Sequence, residues 1–183
     1  MQVFFLGVGD ACDPEHGNTA VQVVTADNVH VLCDCGFSVP HTYFSGCDDP
    51  DELDLVWISH FHGDHFFGMP LLLLRLWEMG RAKPLTVFGQ QGIGQKISQT
   101  LELAFPGFGG KLAYDLRFVE AEPGRVHRIA GLTIKTVETI HSQRNLGLLL
   151  GDGDRKVYYS GDGRPSQEVA ELIGECDFAV HEA

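Results

Sequence analysis

Short apolar runs bounded by turn-forming residues recur along the chain and predict strands. The first four runs are rich in β-branched and aromatic residues and cover residues 3–6, 21–25, 29–33 and 53–59. Seven more follow at residues 85–88, 112–120, 126–129, 132–140, 146–150, 156–160 and 177–180, and the last of these reads as the start of a buried strand. Residues 10–19 and 45–52 are polar and predict loops.

Longer stretches predict helices at residues 67–79, 92–105 and 166–174. Gly80 lies where a C-cap ends the first of these helices, and Ser166 is placed to cap the last one, with Glu168 near its positive end. Strands come first in meanders and later alternate with helices. This order predicts an α/β layered sandwich with helices outside two sheets. No repeat or linker divides the chain, so residues 1–183 are predicted to form a single domain.

The net charge of the chain limits the kinds of partner that it is expected to bind. Lys and Arg number 13 against 25 Asp and Glu, which gives a net charge of −12 at pH 7. Such a surface repels phosphate backbones and anionic lipid, so a nucleic-acid partner is disfavoured and a membrane partner is not expected. The longest apolar stretch, residues 69–74, is far shorter than the about 20 residues that cross a bilayer. Because the start of the chain lacks the features of a signal peptide, we expect a cytoplasmic protein.

Two local patterns predict where side chains point. The five cysteines form no CxxC pair, which is typical of reduced, buried thiols. Cys33 and Cys35 flank Asp34 at the end of an apolar run, so an extended backbone would place both thiols on one face. Trp57 and Trp77 lie in a predicted strand and a predicted helix, and both are expected in the core.

A cluster of histidines and a carboxylate follows the strand predicted at residues 53–59. His60 and His62 are two positions apart, so an extended backbone points both imidazoles to the same side. Gly63 allows a turn, after which Asp64 and His65 can aim at a different point. Imidazole and carboxylate without thiolate suit zinc, with manganese or iron as alternatives. The loop therefore predicts ligands for two divalent metal ions that activate a hydroxide for attack.

Two downstream residues qualify as further ligands. His141 and Asp162 each follow an apolar strand, and Asp162 lies between two glycines that let a ligand approach the backbone. Taken alone, His141 fits an ordinary surface histidine, and Asp162 fits an ordinary Asp-Gly turn. Because the cluster needs more ligands than it contains, we expect both residues at the metal site.

These residues resemble the metallo-β-lactamase superfamily. The run His60-Phe61-His62-Gly63-Asp64-His65 is similar to its HxHxDH signature, and His141 and Asp162 follow in the order of its later metal-binding motifs. A narrower resemblance is to the ribonuclease Z and cyclic-nucleotide phosphodiesterase branch of that superfamily. It is carried by residues 5–9, 34–36, 62–72, 160–165 and 181–183. The resemblance implies a four-layer αββα sandwich that lacks its C-terminal portion.

The resemblance also implies a role for each site residue. One metal would be held by His60, His62 and His141, and the other by Asp64 and His65, with Asp162 bridging both. Asp64 would also accept a proton from the attacking hydroxide, and Glu182 would either protonate the leaving group or support a ligand. Asp34 would hydrogen-bond a ligand histidine or the cluster loop, with a plain strand-end turn as the alternative. His181 would support a ligand or contact the substrate. Arg164 would contact an anionic substrate or form an ion pair at the strand end.

Two departures from the family pattern shape the functional expectation. The family supplies a last histidine for the second metal from beyond the position of His181, and this sequence ends at Ala183. Family members that process transfer RNA carry a basic, glycine-rich arm between the positions of His141 and Asp162, where this chain has only a short connection. With the net charge of −12, this favours a small anionic phosphodiester of cyclic or nucleotide type.

Alternative functions remain open from the sequence. The same hydroxide would also attack a lactone, thioester or carboxylic ester, since the metals stabilise an oxyanion equally well. A transfer-RNA 3′-processing endonuclease is a further alternative, and a non-catalytic metal-binding domain is another. A homodimer is also left open.

Overall fold

The computed structural model describes residues 1–182. Its strands are β1 (Gln2–Gly7), β2 (Ala20–Val24), β3 (His30–Cys33), β4 (Leu53–Ile58), β5 (Leu85–Gly89), β6 (Leu116–Glu120), β7 (Val126–Ile129), β8 (Leu132–Glu138), β9 (Leu146–Gly151), β10 (Lys156–Tyr159) and β11 (Phe178–Val180). Its α-helices are α1 (Val39–Gly46), α2 (Gly63–Phe66), α3 (Met69–Glu78), α4 (Ile93–Ala104) and α5 (Gln167–Ile173). A 3₁₀ turn spans Gly109–Lys111.

The strands form two sheets. The first has six strands in the order β1-β2-β3-β4-β5-β6, antiparallel from β1 to β3 and parallel from β3 to β6. The second has five strands in the order β11-β10-β9-β8-β7, in which only β10 and β11 run parallel. Parallel neighbours end at the same edge of a sheet, so the loops after β3 and β4 are adjacent.

Apolar side chains divide the molecule into four layers. Strand β4 shows the alternation: Val56 and Ile58 pack under α1, α3 and α4, whereas Leu55 and Trp57 face the second sheet. On the far side of the second sheet, Val169 of α5 packs against Tyr158 and Leu149. The predicted αββα sandwich is confirmed.

Several predictions about single elements are wrong. Helix α1 was not predicted, because its eight residues are too few to show a helical period, although it buries Val39 and Tyr43. Strand β6 begins at Leu116 rather than at residue 112. The last strand is not buried, since Phe178 lies on an edge strand and is 47% exposed. Trp57 is in the core as predicted, but Trp77 is 37% exposed.

The prediction that Cys33 and Cys35 share a face is also wrong. Asp34 between them has φ of +64°, so the backbone leaves the extended conformation there. Cys33 consequently packs between the sheets and Cys35 packs under the helices. All five cysteines are free thiols, although Cys12 is exposed. Burial raises the pKa of both Cys33 and Cys35, which keeps these two unreactive.

Within residues 1–182, none of the helices has the length and apolar character needed to cross a bilayer. The cytoplasmic location and the single domain stay predictions.

A buried arginine joins the starts of two parallel strands. Arg81 is 1% exposed and donates to the carbonyls of Pro50, Leu53 and Pro84 at 2.5, 2.6 and 2.9 Å. Its guanidinium also lies 5.4 Å from the ring centroid of Tyr114. These bonds connect the segment before β4 with the segment before β5. Without Arg81, the carbonyls there would be buried without donors.

We therefore predict that Arg81→Lys lowers the free energy of unfolding by about 2 kcal/mol or more, because one ammonium cannot serve three separated carbonyls. Urea unfolding followed by tryptophan fluorescence measures the change. Arg75→Lys is the matched control, since Arg75 is exposed on α3 and, among residues 1–182, pairs only with Glu78. That control should change stability by less than about 0.5 kcal/mol. Equal effects of the two substitutions would show that the Arg81 contacts contribute nothing.

Candidate metal centre

The candidate site lies where strands of both sheets end. The loop after β4 carries His60 and His62, and the short helix α2 that follows places Asp64 and His65 on one turn. In the second sheet, the segment after β8 carries His141 and the segment after β10 carries Asp162. Packing the two sheets face to face brings these loops together at one end of the sandwich.

Three histidines and one carboxylate form the first ligand group. His60 Nε2 lies 2.9 Å from His62 Nδ1, and His141 Nε2 lies 3.2 Å from the same nitrogen. Asp162 Oδ2 is 3.8 Å from His60 Nε2 and 4.0 Å from His141 Nε2. The four ligand atoms therefore surround one point.

A second ligand group shares Asp162 with the first. His65 Nε2 is 3.4 Å from Asp64 Oδ2 and 3.1 Å from Asp162 Oδ1. The two oxygens of Asp162 thus face different groups, Oδ2 the three histidines and Oδ1 the pair on α2. Within the described residues this second group offers three ligands.

The spacing of these atoms fits divalent cations. Ligands at 2.0–2.1 Å from a tetrahedral zinc ion are about 3.3–3.4 Å apart, and three of the six separations given above, 3.1, 3.2 and 3.4 Å, are close to that range. Imidazole and carboxylate without thiolate match the chemistry of zinc and its neighbours. The residues present therefore fit two metal ions.

A buried carboxylate behind the ligands bonds directly to one of them, His65, and reaches His60 through Ser59. Asp34 is fully buried and accepts hydrogen bonds from the backbone N–H and the hydroxyl of Ser59, both at 2.8 Å. It also accepts from His65 Nδ1 at 2.7 Å and from the Tyr159 hydroxyl at 2.7 Å. Because Nδ1 of His65 donates to Asp34, the ring is held with Nε2 facing Asp64 and Asp162. The resemblance implied that Asp34 contacts a ligand histidine or the cluster loop, and in the structure it accepts hydrogen bonds from His65 and from Ser59 of that loop.

Tyr159 was not predicted to belong to the site. It lies 125 residues from Asp34 in sequence, so no local spacing links the two. Its place at the end of β10, three positions before Asp162, was the only available signal.

Ser59 fixes the orientation of His60. The Ser59 hydroxyl donates to Asp34, so it accepts from His60 Nδ1, which lies 3.0 Å away. The other ring nitrogen of His60, Nε2, is then unprotonated and faces the first ligand group.

His60 and His65, one from each ligand group, have pKa values shifted in opposite directions. Burial, and then the positive charge of His65, lower the pKa of His60 to about 4, so this ring stays neutral and ready to act as a ligand. Burial alone would lower the pKa of His65, but the charge of Asp34 and hydrogen bonds to three carboxylates outweigh it and raise the pKa to about 12. The hydrogen bond from His65 lowers the pKa of Asp64. Burial opposes the same shift at Asp162, but the bond and charge of His65 prevail and lower its pKa.

A glycine lets two site loops touch. A Cβ on Gly36 would lie 1.9 Å from the carbonyl oxygen of Asp64, so only glycine fits there. The neighbouring Cys35 donates its N–H to the His65 carbonyl at 2.8 Å. The loop after β3 therefore holds the turn that carries Asp64 and His65.

The end of the described chain closes against the Asp162 loop. Glu182 accepts a hydrogen bond from the Gly163 N–H through Oε2, and its own N–H donates to Ser160 Oγ at 3.0 Å. His181 stacks on Tyr158 and does not join either ligand group. Ala183, the last residue of the matching motif, lies outside the described residues.

A cavity of about 510 Å³ opens beside the second ligand group. Its lining includes the loop carboxylates Asp10 and Asp13 as well as Asp64, Asp162 and Glu182. Arg164 is exposed on the other side of the Asp162 loop, next to His141, and makes no ion pair within residues 1–182. The alternative of an ion pair at the strand end is therefore not seen in the part of the chain that the structure describes.

Known proteins resemble this chain in both sequence and fold. A ribonuclease Z of Listeria monocytogenes serotype 4a is 31% identical over 166 residues, which cover 88% of this chain and 53% of that protein. A ribonuclease Z of Methanosarcina mazei is 28% identical over 174 residues, covering 95% of this chain and 54% of that protein. The chain thus spans about half the length of these curated relatives.

Solved structures show the same architecture. The crystal structure of the short form of human tRNase Z superposes with a TM-score of 0.83 at 24% identity, covering 100% of this chain and 78% of that one. A likeness at this level of identity shows the fold.

The family profile described as "Anti-Pycsar protein Apyc1" matches residues 1–183, the whole of this sequence. The chain therefore belongs to the Anti-Pycsar protein Apyc1 family, within the ribonuclease Z-like branch of the metallo-β-lactamase superfamily.

Proposed function

We propose that this protein is a metal-dependent hydrolase of phosphodiester bonds that works with two divalent cations. The observation that carries the proposal is the placement of Asp162, whose two oxygens face two separate ligand groups. A carboxylate shared in this way would serve as a ligand to both of two divalent cations, as in two-metal phosphodiester hydrolases. The ribonuclease Z relatives support the same class of reaction.

His60, His62 and His141 would hold one cation, Asp64 and His65 the other, and Asp162 both. Zinc suits this set of ligands best. Divalent cations bound there would lower the pKa of water and offset negative charge on the phosphoryl oxygens.

The chain's own residues supply position and proton transfer. Asp64 lines the cavity, so its carboxylate is placed to accept a proton from the attacking water. Asp34 keeps Nε2 of His65 aimed into the site. We propose that Glu182 acts by holding the loop of Asp162 through the Gly163 N–H, with protonation of the leaving group kept as the alternative role.

The substrate that fits the cavity best is small and carries a single negative charge. Among the described residues that line the cavity there is no lysine or arginine, while carboxylates at Asp10 and Asp13 face it. A phosphodiester placed at the two ligand groups would be neutralised there, but further phosphates in the cavity would meet negative charge. The connection between His141 and Asp162 is a plain hairpin of β9 and β10 with no basic arm. We therefore favour a small cyclic or nucleotide-type phosphodiester.

RNA is the second candidate substrate. The curated relatives are named ribonuclease Z, and the fold matches a human tRNase Z. These similarities count against the expectation that nucleic acid is a disfavoured partner. In this reading the exposed Arg164 beside His141 would contact the phosphate backbone. Cytoplasmic location and a homodimer remain predictions.

We predict that Asp162→Asn abolishes two-metal binding. The amide keeps the shape of the carboxylate but loses its charge and one of its two acceptor oxygens, so one group loses its shared ligand and the other keeps only an uncharged one. Metal analysis after zinc loading should fall from two ions per chain to one or fewer, and hydrolysis of bis(p-nitrophenyl) phosphate should fall by at least about 100-fold. Asp154→Asn, in the exposed turn between β9 and β10, is the matched control and should change neither. Two tightly bound zinc ions in the Asp162 variant would contradict the shared-ligand arrangement.

We also predict that the zinc-loaded protein hydrolyses cyclic mononucleotides faster than precursor transfer RNA or a lactone panel. Removal of metal with a chelator should abolish the reaction, and added zinc or manganese should restore it. If transfer RNA is the true substrate, its binding should weaken steeply with salt, since each phosphate contact releases counterions. Turnover of lactones alone would overturn the phosphodiester proposal.

A further inference from the structure

We propose that Asn145 and Thr139 are positioning residues that fix the separation of His141 from Asp162, and with it the metal affinity of the three-histidine group. This inference rests on the metal site of the proposed function. Neither residue stood out in the sequence, because neither is a metal ligand or an acid–base group.

The evidence begins with the burial and bonding of Asn145. Its side chain is fully buried at the start of the segment that enters β9. One amide hydrogen of Nδ2 is donated to Thr139 Oγ1 at 2.6 Å, and the other to the Ser160 carbonyl at 2.8 Å. Because the Ser160 carbonyl only accepts, the amide has a single orientation in which both of its hydrogens are used.

Thr139 continues the connection. Its hydroxyl accepts from Asn145 and donates to the backbone carbonyl of Asp162 at 3.2 Å. Every donor in this short network therefore has an acceptor, and the network reaches both sides of Gly161. Thr139 is two positions before His141, and Ser160 is two positions before Asp162, so the network links the two ligand-bearing segments directly.

Close packing around Gly161 shows how little freedom these segments have. A Cβ on Gly161 would lie 2.5 Å from Asn145 Oδ1 and 2.6 Å from the Cβ of Ser59. The backbone bond from Leu146 N to the Ser59 carbonyl, at 3.1 Å, brings the His60 loop to the same point. Asn145 thus stands where the three ligand-bearing loops meet.

The same hydrogen bonds explain why other residues would not replace Asn145 or Thr139. An aspartate at 145 has no hydrogen to give to either acceptor, and a leucine leaves both acceptors without this donor. A valine at 139 has the shape of threonine but neither accepts from Asn145 nor donates to Asp162. The hydroxyl itself is what matters at 139, so serine should replace threonine.

The test compares zinc affinity with folding stability in the full chain. Zinc binding to the metal-free protein is measured by competition with a chromophoric chelator, and the Tm of the metal-free protein is measured separately. The variants are Thr139→Val, Thr139→Ser and Asn145→Leu. Tyr114→Phe is the control, since it removes a buried hydrogen bond to the Leu73 carbonyl far from the ligands.

We expect Thr139→Val to weaken zinc binding by about 10-fold or more, because it removes the hydrogen bond to the Asp162 backbone. Asn145→Leu should weaken it comparably, because it removes the bonds that hold Thr139 and Ser160. Thr139→Ser should bind within about twofold of the parent protein. Tyr114→Phe should lower Tm without changing zinc affinity. If Asn145→Leu does not fold, Thr139→Val carries the test, because it removes a single hydroxyl from a half-buried position.

Two outcomes would overturn the inference, and they differ. Parent protein that binds two zinc ions, with variants that bind as tightly and lose only Tm, would make the network purely structural. Parent protein that binds no zinc would overturn the proposed function and the positioning role together.

Discussion

A single buried carboxylate organises this molecule around its candidate site. Asp34 accepts four hydrogen bonds, and their donors come from the loop after β4, from α2 and from β10 of the opposite sheet. A carboxylate removed from water is costly unless such donors surround it. The cost is offset only when all these segments are in place, so the interaction favours the assembled arrangement over partial ones. The positive φ of Asp34 is part of this arrangement, because it turns the carboxylate away from the path of an ordinary strand.

The fold explains why ligands so far apart in sequence meet. Strands β3 and β4 are parallel neighbours and deliver their loops to one edge, while β8 and β10 deliver theirs to the same end of the facing sheet. Rigid strands carry each loop, and short hydrogen-bonded links between loops set the final spacing. Metal chemistry needs this precision, since affinity depends on ligand positions to within a few tenths of an ångström.

Charge distribution then bears on the choice of substrate. The ligand groups and the cavity beside them are rich in carboxylates, and the whole chain carries a net charge of −12. Divalent cations would be the main positive charges near the reacting phosphate, so substrate attraction and chemistry would depend on the same ions. A polyanion gains less from such a surface than a substrate with one phosphodiester does.

The sequence by itself determined the strands, three of the helices and the chemistry of the ligands. The apolar runs of β4 and β8, the spacing of His60 and His62, and the glycines around Asp162 are local patterns, and the ligand atoms they predicted do lie together. Tertiary structure decided what local patterns cannot carry: the faces of Cys33 and Cys35, the exposure of Trp77, and the roles of Tyr159 and Asn145. The physical reason is that hydrogen bonds between loops and the burial of a face depend on which strands become neighbours, and residues 125 positions apart acquire that relation only when the two sheets pack.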